Sequence, residues 1–389
     1  MFMKKTSRRS FLAQTGVTAA GIAIAPTFLS NKAIPKTKYT GKKLNVTLVG
    51  LGRYAAILAD GLQESQYCKL AGVVTGHPEK GEAWKKQYNI PDKNIYNYEN
   101  FDSIVNNKDI DVIYIVLPNA MHKEYTIRAA KAGKHVICEK PMAISSQECN
   151  EMIEACKQAG VQLAIGYRLH YEPYNLEMKR LGQDKVFGEV RYVEAGLGYQ
   201  TINFEGTNAG KDFNINDPLE WRLNRRWSGG GALMNLGVYC VQASRYILGE
   251  NPTSVSAQYG TVHDAKRFAQ VEETILWQAN FPGGAVANCN TSYGYNIDRL
   301  YASAANGFFE LAPAISYGPF KGASSNGDMH FPDINQQAAQ LDGIGKLILE
   351  NKALPDHISG KEGLIDLYIM EAIYKAANTV SKVDVVYSM

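Results

Sequence analysis

Short apolar runs separated by amphipathic stretches dominate residues 44–168 of the chain. Continuous apolar runs of this kind are typical of parallel strands that are buried on both faces. Between several of them the apolar positions recur at helical spacing, as in 123–132 and 145–159. The apolar runs cover residues 44–49, 69–74, 111–119, 135–138 and 161–166. Strands that alternate with helices in this order predict an α/β N-terminal domain with a doubly wound Rossmann sheet.

The pattern changes after residue 171, where strand-like runs follow one another with little room for crossover helices. These runs are rich in Val, Ile, Tyr and Ala and lie near 187–197, 253–262, 273–281, 284–293 and 299–313. They predict an α+β C-terminal domain with a large, mainly antiparallel open sheet. Ser359 and Glu362 are spaced as a capping box, which predicts a closing amphipathic helix to about residue 378.

A glycine-rich turn follows the first predicted strand. Gly50 and Gly52 let the backbone approach a pyrophosphate, and Ala55 permits close packing of the following helix. The position of the turn between a strand and a helix favours dinucleotide binding over a simple tight turn. We therefore predict cofactor contacts from Gly50, Gly52, Arg53, Tyr54 and Ala55.

The end of the second predicted strand indicates which dinucleotide binds. A carboxylate at this position holds the ribose of NAD and repels the 2′-phosphate of NADP. Here the chain has Thr75, Gly76 and His77, with no acid before Glu79 and with Lys80 nearby. The sequence therefore favours NADP, with NAD as the alternative, and it predicts cofactor contacts from Thr75, His77 and Lys80.

Two further strand ends reach the same edge of the predicted sheet. The run 111–119 delivers Leu117 and Asn119, followed by His122, and the run 135–138 delivers Glu139 and Lys140. Ligands of open α/β sheets bind at the carboxyl ends of the strands. A proline after Lys140 also keeps that residue out of the helical region. We predict cofactor contacts from all five residues and a catalytic role for Lys140, with a salt-bridged strand end as the alternative.

Three consecutive glycines, at 229–231, precede a helical pattern that contains Asn235 and Tyr239. Glycines allow a loop to pass close to a ligand. Residues four apart share one face of a helix, so Asn235 and Tyr239 are expected to face the site together. For Tyr239 the alternative is an ordinary core aromatic.

The first 43 residues match an export signal and an arm. Arg8 and Arg9 precede Phe11 and a mildly apolar run over 15–28, which is typical of a twin-arginine signal. Residues 1–33 are predicted to be the signal peptide, with cleavage between 25 and 33. We expect a periplasmic or otherwise exported protein. The extended arm over 34–43 is expected to fold over the adenosine end of the cofactor, with its lysines near phosphate.

Charge and composition limit the partners. The formal net charge is +3, and residues 1–43 hold nine Lys and Arg residues and no acid. Five of the nine precede Ala33, so removal of 1–33 changes the net charge from +3 to −2. A nearly neutral protein does not favour nucleic acid. No other apolar run reaches the roughly 18 residues that span a bilayer, so no membrane partner is expected after signal removal. The six cysteines have no zinc-type spacing, which predicts core thiols and no metal site.

These motifs together resemble the glucose-fructose oxidoreductase family, within the Gfo/Idh/MocA superfamily, over essentially all of residues 44–389. The matching segments are 50–55, 75–80, 138–143, 167–173 and 229–239. The resemblance implies an NADP-binding Rossmann domain over 44–168 and a substrate and oligomerisation domain over 169–389. It also implies that the protein is a homo-oligomer, a dimer or tetramer.

The resemblance implies a function as well. It implies hydride transfer between a sugar hydroxyl and a carbonyl acceptor, with the nicotinamide cofactor held tightly. It places the nicotinamide near Lys140, Trp221 and Arg222, and it places the sugar near Arg168, Tyr171 and Tyr239.

The chain departs from the family at Asn235, where members have an aspartate. An asparagine can orient a hydroxyl by hydrogen bonding but cannot ionise as a base. The catalytic set is therefore predicted to be Lys140, Tyr239 and Asn235, with Lys140 and Tyr239 carrying the proton. Two alternatives stand beside this prediction: an NAD-dependent glycoside hydrolase on the same fold, and a non-catalytic sugar-sensing protein that retains it.

Overall fold

Six parallel strands form the first sheet of the computed structural model, which describes residues 39–200, 214, 217 and 220–388. The strand order is β3-β2-β1-β4-β5-β6. The first three strands are added toward one edge of the sheet and the last three toward the other, so the order switches between β1 and β4. All five strand pairs are parallel, which confirms the predicted Rossmann sheet. The strands are β1 (Leu44–Val49), β2 (Cys68–Val74), β3 (Ile95–Tyr96), β4 (Val112–Ile115), β5 (His135–Cys138) and β6 (Leu163–Ile165).

Helices connect these strands, as the apolar periodicity predicts. Ser145 begins the helix after β5, and its side chain accepts from the backbone N–H of Glu148 at 3.2 Å. The Glu148 carboxylate lies 3.4 Å from the N–H of Ile144, one residue before the position that a full capping box requires. The helices are α1 (Arg53–Glu64), α2 (Pro78–Tyr88), α3 (His122–Lys131) and α4 (Ser146–Gln158).

The second sheet has nine strands in the order β14-β13-β12-β11-β7-β10-β9-β8-β15. Only β7 and β10 pair in parallel among its described strands, so the sheet is mainly antiparallel, as predicted. The single strand expected over 299–313 is wrong, because Ala305 and Asn306 form a turn between two paired strands. The strands are β7 (Val190–Gly198), β8 (Ser254–Tyr259), β9 (Thr274–Asn280), β10 (Val286–Ser292), β11 (Ile297–Ala304), β12 (Gly307–Leu311), β13 (Gly322–Ser324), β14 (Gly327–Met329) and β15 (Val383–Asp384).

The described residues of this second region form five α-helices. They are α5 (Pro173–Gln183), α6 (Arg225–Ser228), α7 (Val238–Leu248), α8 (Gln336–Leu349) and α9 (Gly360–Thr379). Three of them, α5, α7 and α9, pack on the second sheet. A buried ion-pair network ties α7 to α9: Arg245 binds Glu362 at 2.9 Å and Asp366 at 2.8 Å. Glu362 therefore does not complete the predicted capping box, and the Ser359 side chain caps α9 through the N–H of Lys361.

Helix α8 returns to the first sheet. Its Gln340 donates to the hydroxyl of Tyr114 in β4 at 2.7 Å. A Cβ on Gly61 of α1 would lie 2.7 Å from the Cβ of Gln337, so glycine allows the two helices to approach closely. A segment of the predicted second domain thus supports the sheet of the first.

The described part of the arm lies at the amino-terminal edge of the first sheet. Tyr39 packs on Tyr67 with ring centroids 4.5 Å apart, and Lys43 donates to the carbonyl of Ser65 at 2.6 Å. Lys42 lies 3.7 Å from Asp111, just before β4. Lys42 and Lys43 are therefore at the edge opposite the glycine turn, so the expectation that they reach the cofactor phosphates is wrong. Residues 1–38, with the predicted signal, lie outside the described residues.

All six cysteines are buried and free, which confirms that they are core thiols. Within residues 39–200 and 220–388, no helix is both long and apolar enough to cross a bilayer. The same residues contain no cluster of three His, Cys, Asp or Glu side chains that could hold a metal ion.

Candidate active site

The turn after β1 forms a cradle at the carboxyl edge of the first sheet. Gly50 has a φ of +93°, and a Cβ there would lie 2.7 Å from the carbonyl oxygen of Val116. Only glycine fits both constraints. Gly52 precedes α1, and a Cβ there would meet no atom within 4 Å. No side chain caps α1, so its first backbone N–H groups are available to an anion, while Ala55 is fully buried behind them. These residues fit the pyrophosphate of a nicotinamide dinucleotide.

Arg53 and Tyr54 follow the cradle in the first turn of α1. Arg53 is exposed beside it. Tyr54 is turned toward the strand end that carries Glu139: burial raises the pKa of the Tyr54 phenol, and the charge of Glu139 adds to the effect. Tyr54 therefore lies near the predicted catalytic residues.

The end of β2 is polar and carries no acid. Thr75 is buried, and its hydroxyl accepts from the N–H of His77 at 3.1 Å. The His77 ring lies 3.2 Å from the carboxylate of Glu79, and both side chains are exposed. Lys80 is exposed on the same turn of α2. The three predicted residues thus lie at one strand end, where a ribose and its substituents would pass.

Asn119 and His122 brace the crevice from inside. The Asn119 amide donates to the carbonyl of Ser228 at 2.8 Å. His122 is fully buried, with Nε2 2.8 Å from the carbonyl oxygen of Leu117 and Nδ1 3.0 Å from that of Pro141. Both ring nitrogens face backbone oxygens, so His122 joins the end of β4 to the segment after Lys140.

Lys140 Nζ lies at the centre of the candidate site. It donates to the backbone carbonyl of Asn235 at 2.9 Å and lies 4.3 Å from the ring centroid of Tyr239. Burial lowers the pKa of Lys140 to about 7, and the positive charges of Arg168 and Arg222 also lower it, against an opposing effect of Glu139. Near neutral pH this amine can therefore both accept and donate a proton.

Glu139 is buried beneath Lys140 and is held from several sides. Its carboxylate accepts from the hydroxyl of Tyr114 at 2.7 Å and from the N–H of Lys140 at 3.2 Å. A Cβ on Gly166 would lie 2.5 Å from this carboxylate, so glycine leaves room for it. Burial raises the pKa of Glu139. Glu139 fixes the strand end that carries Lys140.

A five-residue π-helix, Leu233–Gly237, precedes α7 in place of the regular helix that the sequence predicts. Such segments are frequent at functional sites. Asn235 presents its backbone carbonyl to Lys140, and its amide donates to the hydroxyl of Tyr199 at 3.3 Å. Tyr239 lies beneath Lys140, and burial raises the pKa of its phenol, which stays protonated near neutral pH. The structure therefore brings together the three predicted catalytic residues.

Half-buried Glu272 anchors the start of this π-helix. Its carboxylate accepts from the N–H of Gly231 at 3.0 Å and from the N–H of Leu233 at 2.9 Å, and the hydroxyl of Tyr374 donates to it at 2.9 Å. The carbonyl that binds Lys140 thus belongs to a firmly held segment.

Arg168 and Tyr171 are placed mainly as supports. The Arg168 guanidinium is buried, and it donates to the side chain of Gln336 and to the carbonyl oxygens of Ile315 and Ser316. Its charged group also lies 5.4 Å from the ring centroid of Tyr239, so it borders the site. The Tyr171 ring packs on Gly343 of α8 and does not line the pocket beside Lys140.

Trp221 and Arg222 contact each other near the site. The guanidinium of Arg222 lies 4.5 Å from the ring centroid of Trp221, and its charge acts on Lys140 and on Tyr199. The structure thus places Arg222 within electrostatic reach of Lys140, as the resemblance implies.

Sequence reasoning missed Tyr199 and Tyr317 as site residues. Tyr199 follows the end of β7, and Tyr317 lies in an irregular loop with its ring centroid 4.4 Å from the Arg168 guanidinium. Neither residue belongs to a recognisable motif. The many tyrosines of the chain offer no signal that separates these two from core aromatics.

A narrow pocket adjoins Lys140 on the side of α7. Its walls are mainly apolar atoms, from Lys140, Tyr167, Leu169, His170, Asn175, Val238, Tyr239, Gln242, Ala243 and Tyr246. Such walls suit a sugar poorly, because the hydroxyl groups of a sugar need hydrogen-bond partners. The tyrosine-lined side of Lys140 fits a polar substrate better.

Both halves of the chain match known family models. Residues 44–167 match the model described as an oxidoreductase family with an NAD-binding Rossmann fold. Residues 175–305 match the model of the GFO/IDH/MocA C-terminal domain.

Several relatives act on sugars. The crystal structure of aldose-aldose oxidoreductase from Caulobacter crescentus, complexed with glycerol, is 38% identical, covers 88% of this chain and 100% of its own, and superposes with a TM-score of 0.81. D-xylose 1-dehydrogenase [NADP(+)] from Haloarcula marismortui is 28% identical over 74% of this chain and 78% of its own. D-glucoside 3-dehydrogenase from Escherichia coli is 22% identical over 90% and 99%. These similarities favour an enzyme over a sugar-sensing protein.

Proposed function

The chain belongs to the GFO/IDH/MocA oxidoreductase family and is an NAD(P)-dependent oxidoreductase that acts on CH–OH groups of sugars; from this premise we propose that it transfers hydride between a sugar hydroxyl and a carbonyl acceptor with tightly held NADP. The observation that carries the proposal is the position of Lys140 Nζ, 2.9 Å from the carbonyl of Asn235 and 4.3 Å from the Tyr239 ring. It lies at the edge of the sheet where the glycine cradle is also found.

The protein's residues handle the proton of this reaction. A bound nicotinamide supplies the hydride chemistry. Oxidation of a sugar hydroxyl leaves a proton, which the neutral amine of Lys140 accepts, and Lys140 returns it to the oxygen of the acceptor carbonyl. The Tyr239 phenol, which stays protonated, donates a hydrogen bond to the reacting oxygen, and Asn235 keeps Lys140 in place. Amine and ammonium are both populated near pH 7, because the pKa of Lys140 is about 7.

The end of β2 supports NADP over NAD. No carboxylate follows Val74 directly, and the first acid, Glu79, lies 3.2 Å from the His77 ring. A 2′-phosphate at this position would meet His77 and Lys80 in place of a repelling acid. The comparison that tests this choice is the Kd for NADP against the Kd for NAD.

Export by the twin-arginine route, which the sequence predicts, would favour tight retention of the cofactor. This route carries folded proteins, and little free NADP is found outside the cytosol. With an association rate constant of ~10⁶ M⁻¹s⁻¹, a Kd of ~1 nM implies a dissociation rate constant of ~10⁻³ s⁻¹, so the nucleotide would stay bound for minutes. A retained cofactor must be regenerated in place, which requires a donor sugar and a carbonyl acceptor to alternate at one site.

The test is a panel of sugars assayed with wild-type protein and with Lys140→Ala. We expect the variant to keep its nucleotide and to transfer hydride about 10²- to 10⁴-fold more slowly, the usual effect of losing a positioned acid or base. Lys134→Ala is the matched control, because Lys134 is also buried and donates to a backbone carbonyl, that of Asn107, at 2.7 Å. It should keep the wild-type rate. Wild-type turnover in Lys140→Ala would overturn the role of Lys140.

A further inference from the structure

The loop between β12 and β13 is held rigidly from two sides. The carboxylate of Asp298 in β11 accepts from three consecutive backbone N–H groups, of Ala314 at 2.8 Å, Ile315 at 2.7 Å and Ser316 at 3.0 Å. From the other side, buried Arg168 donates to the carbonyl oxygens of Ile315 and Ser316. Five charge-assisted hydrogen bonds on three residues fix the backbone that leads directly into Tyr317.

Tyr317 stands out on this rigid loop because its ring is 55% exposed, more than that of any other tyrosine that the structure describes. Its inner face lies over the Arg168 guanidinium, 4.4 Å from the ring centroid. Burial raises the pKa of Tyr317, and the phenol of Tyr239 adds to the effect, so the two tyrosines lie within electrostatic reach of each other. The ring therefore borders the site of Lys140 and Tyr239 while leaving one face open.

A rigid, half-exposed aromatic beside a reactive centre offers apolar surface that a ligand can cover without reordering the loop. Large exposed aromatics at clefts mark binding surfaces. The C–H groups on one face of a pyranose ring carry partial positive charge and fit the electron-rich face of a tyrosine ring. The hydroxyl groups at the rim of the sugar would form hydrogen bonds with polar groups such as the tyrosine hydroxyls of the site.

We propose that Tyr317 is the stacking wall that selects cyclic sugars over open-chain polyols at this site. The inference rests on the proposed function and adds the form of the substrate. Arg168 and Asp298 are positioning residues, because they hold the loop that presents the ring. Tyr317 itself is not required for the chemical step.

The test compares Tyr317→Ala and Tyr317→Phe with the wild type, with an aldopyranose and with glycerol as probes. Tyr317→Ala should raise both the KM and the calorimetric Kd for the aldopyranose by about tenfold, or ~1.4 kcal/mol, with kcat within about twofold. Tyr317→Phe keeps the ring and should remain near the wild type. The KM and Kd for glycerol, which has no ring face, should change little in either variant. Tyr259→Ala is the matched control, because Tyr259 is 41% exposed but lies on β8 and donates to Asn378.

Equal losses for the aldopyranose and for glycerol in Tyr317→Ala would overturn the proposal, since they would indicate a disturbed loop. So would an unchanged KM and Kd for the aldopyranose. Failure of the wild type to oxidise any sugar would refute the proposed function instead, and the calorimetric comparison would still decide the role of Tyr317. If Tyr317→Ala does not fold, Tyr317→Leu serves in its place, because it keeps apolar bulk without the aromatic face.

Discussion

Lys140 is the residue whose protonation should set the pH dependence of the reaction. Its pKa is lowered to about 7, mainly by burial. The neutral amine accepts the proton of a sugar hydroxyl, so the rate of sugar oxidation should rise with pH through about 7 and then level off. The ammonium donates in the opposite direction, so carbonyl reduction should fall as pH rises through the same value. Single-turnover rates in both directions measure this. An inflection near the ordinary lysine value of ~10.4 would contradict it.

Asn235 offers a way to move that inflection. In Asn235→Asp a carboxylate would stand beside the carbonyl that binds Lys140, and the opposite charge would favour the ammonium. The pKa of Lys140 should rise, so the inflection should move to higher pH. The fold should be preserved, because the hydroxyl of Tyr199 can donate to a carboxylate as readily as it accepts from the amide.

The control for this variant is Asn288→Asp, on the exposed position of β10. It adds the same charge away from the site and should leave the pH profile unchanged. If Asn235→Asp also leaves the profile and the rate unmoved, then the side chain of Asn235 does not act on Lys140.

At the residue scale, sequence motifs can predict those site residues whose position depends on neighbours in the sequence. Gly50, Gly52 and Lys140 could be predicted because strand ends and glycine turns have local signatures. Tyr317 could not, because the contacts that place it, with Asp298 and Arg168, are distant in sequence. The Arg168 side chain was predicted as a substrate contact, and the structure uses its donors mainly to hold the loop that carries Tyr317.

At the element scale, the two glycines of the turn between β1 and α1 have different roles: Gly50 is needed for stability and Gly52 for nucleotide binding. Gly50→Ala should destabilise the protein, because it forces a side chain into φ +93° and against the carbonyl of Val116; strain of this kind costs about 1–3 kcal/mol. Gly52→Ala should leave the melting temperature nearly unchanged, because the added methyl meets no protein atom. It should weaken nucleotide binding, because the methyl would occupy the space for the pyrophosphate.

The measurements are thermal unfolding without nucleotide and a nucleotide titration. If the Gly52→Ala variant binds nucleotide as tightly as the wild type, then the pyrophosphate does not bind beside Gly52. A Gly50→Ala variant as stable as the wild type would show that the turn relaxes without strain.

Five of the six strands of the first sheet could be predicted because buried parallel strands have continuous apolar runs, whereas β3, with two residues, is too short to form such a run. The runs 44–49 and 135–138 coincide with β1 and β5. The single strand predicted over 299–313 was wrong because a two-residue turn inside an apolar stretch leaves the hydrophobic pattern almost unbroken. The π-helix at Leu233–Gly237 has no sequence period of its own, so a regular helix was predicted there.

At the scale of the whole molecule, the site depends on both sheets. The first sheet supplies Glu139 and Lys140 at the end of β5. The π-helix before α7 supplies Asn235, the first turn of α7 supplies Tyr239, and the loop that follows β12 supplies Tyr317. The sequence could predict the two sheets and their order, but their meeting at Lys140 results from long-range packing. Helix α8 is an example, since it returns from the second region to support β4 through Gln340.

Export, cofactor retention and a homo-oligomeric state remain predictions at this scale. Retention has the sharpest consequence, because a protein that keeps its cofactor must oxidise one substrate and reduce another without releasing the nucleotide. Removal of the nucleotide under denaturing conditions, followed by refolding, should therefore abolish turnover until NADP is added back.

The most direct measurement starts with mature protein that has been dialysed extensively and receives no added nucleotide. A donor sugar is added and the absorbance of reduced nicotinamide is followed, and a carbonyl acceptor is then added. We predict that absorbance appears with the sugar, in an amount equal to the protein, and disappears with the acceptor, and that both changes are slowed in Lys140→Ala. Protein that emerges free of nucleotide and turns over only with NADP or NAD supplied in excess would contradict this account.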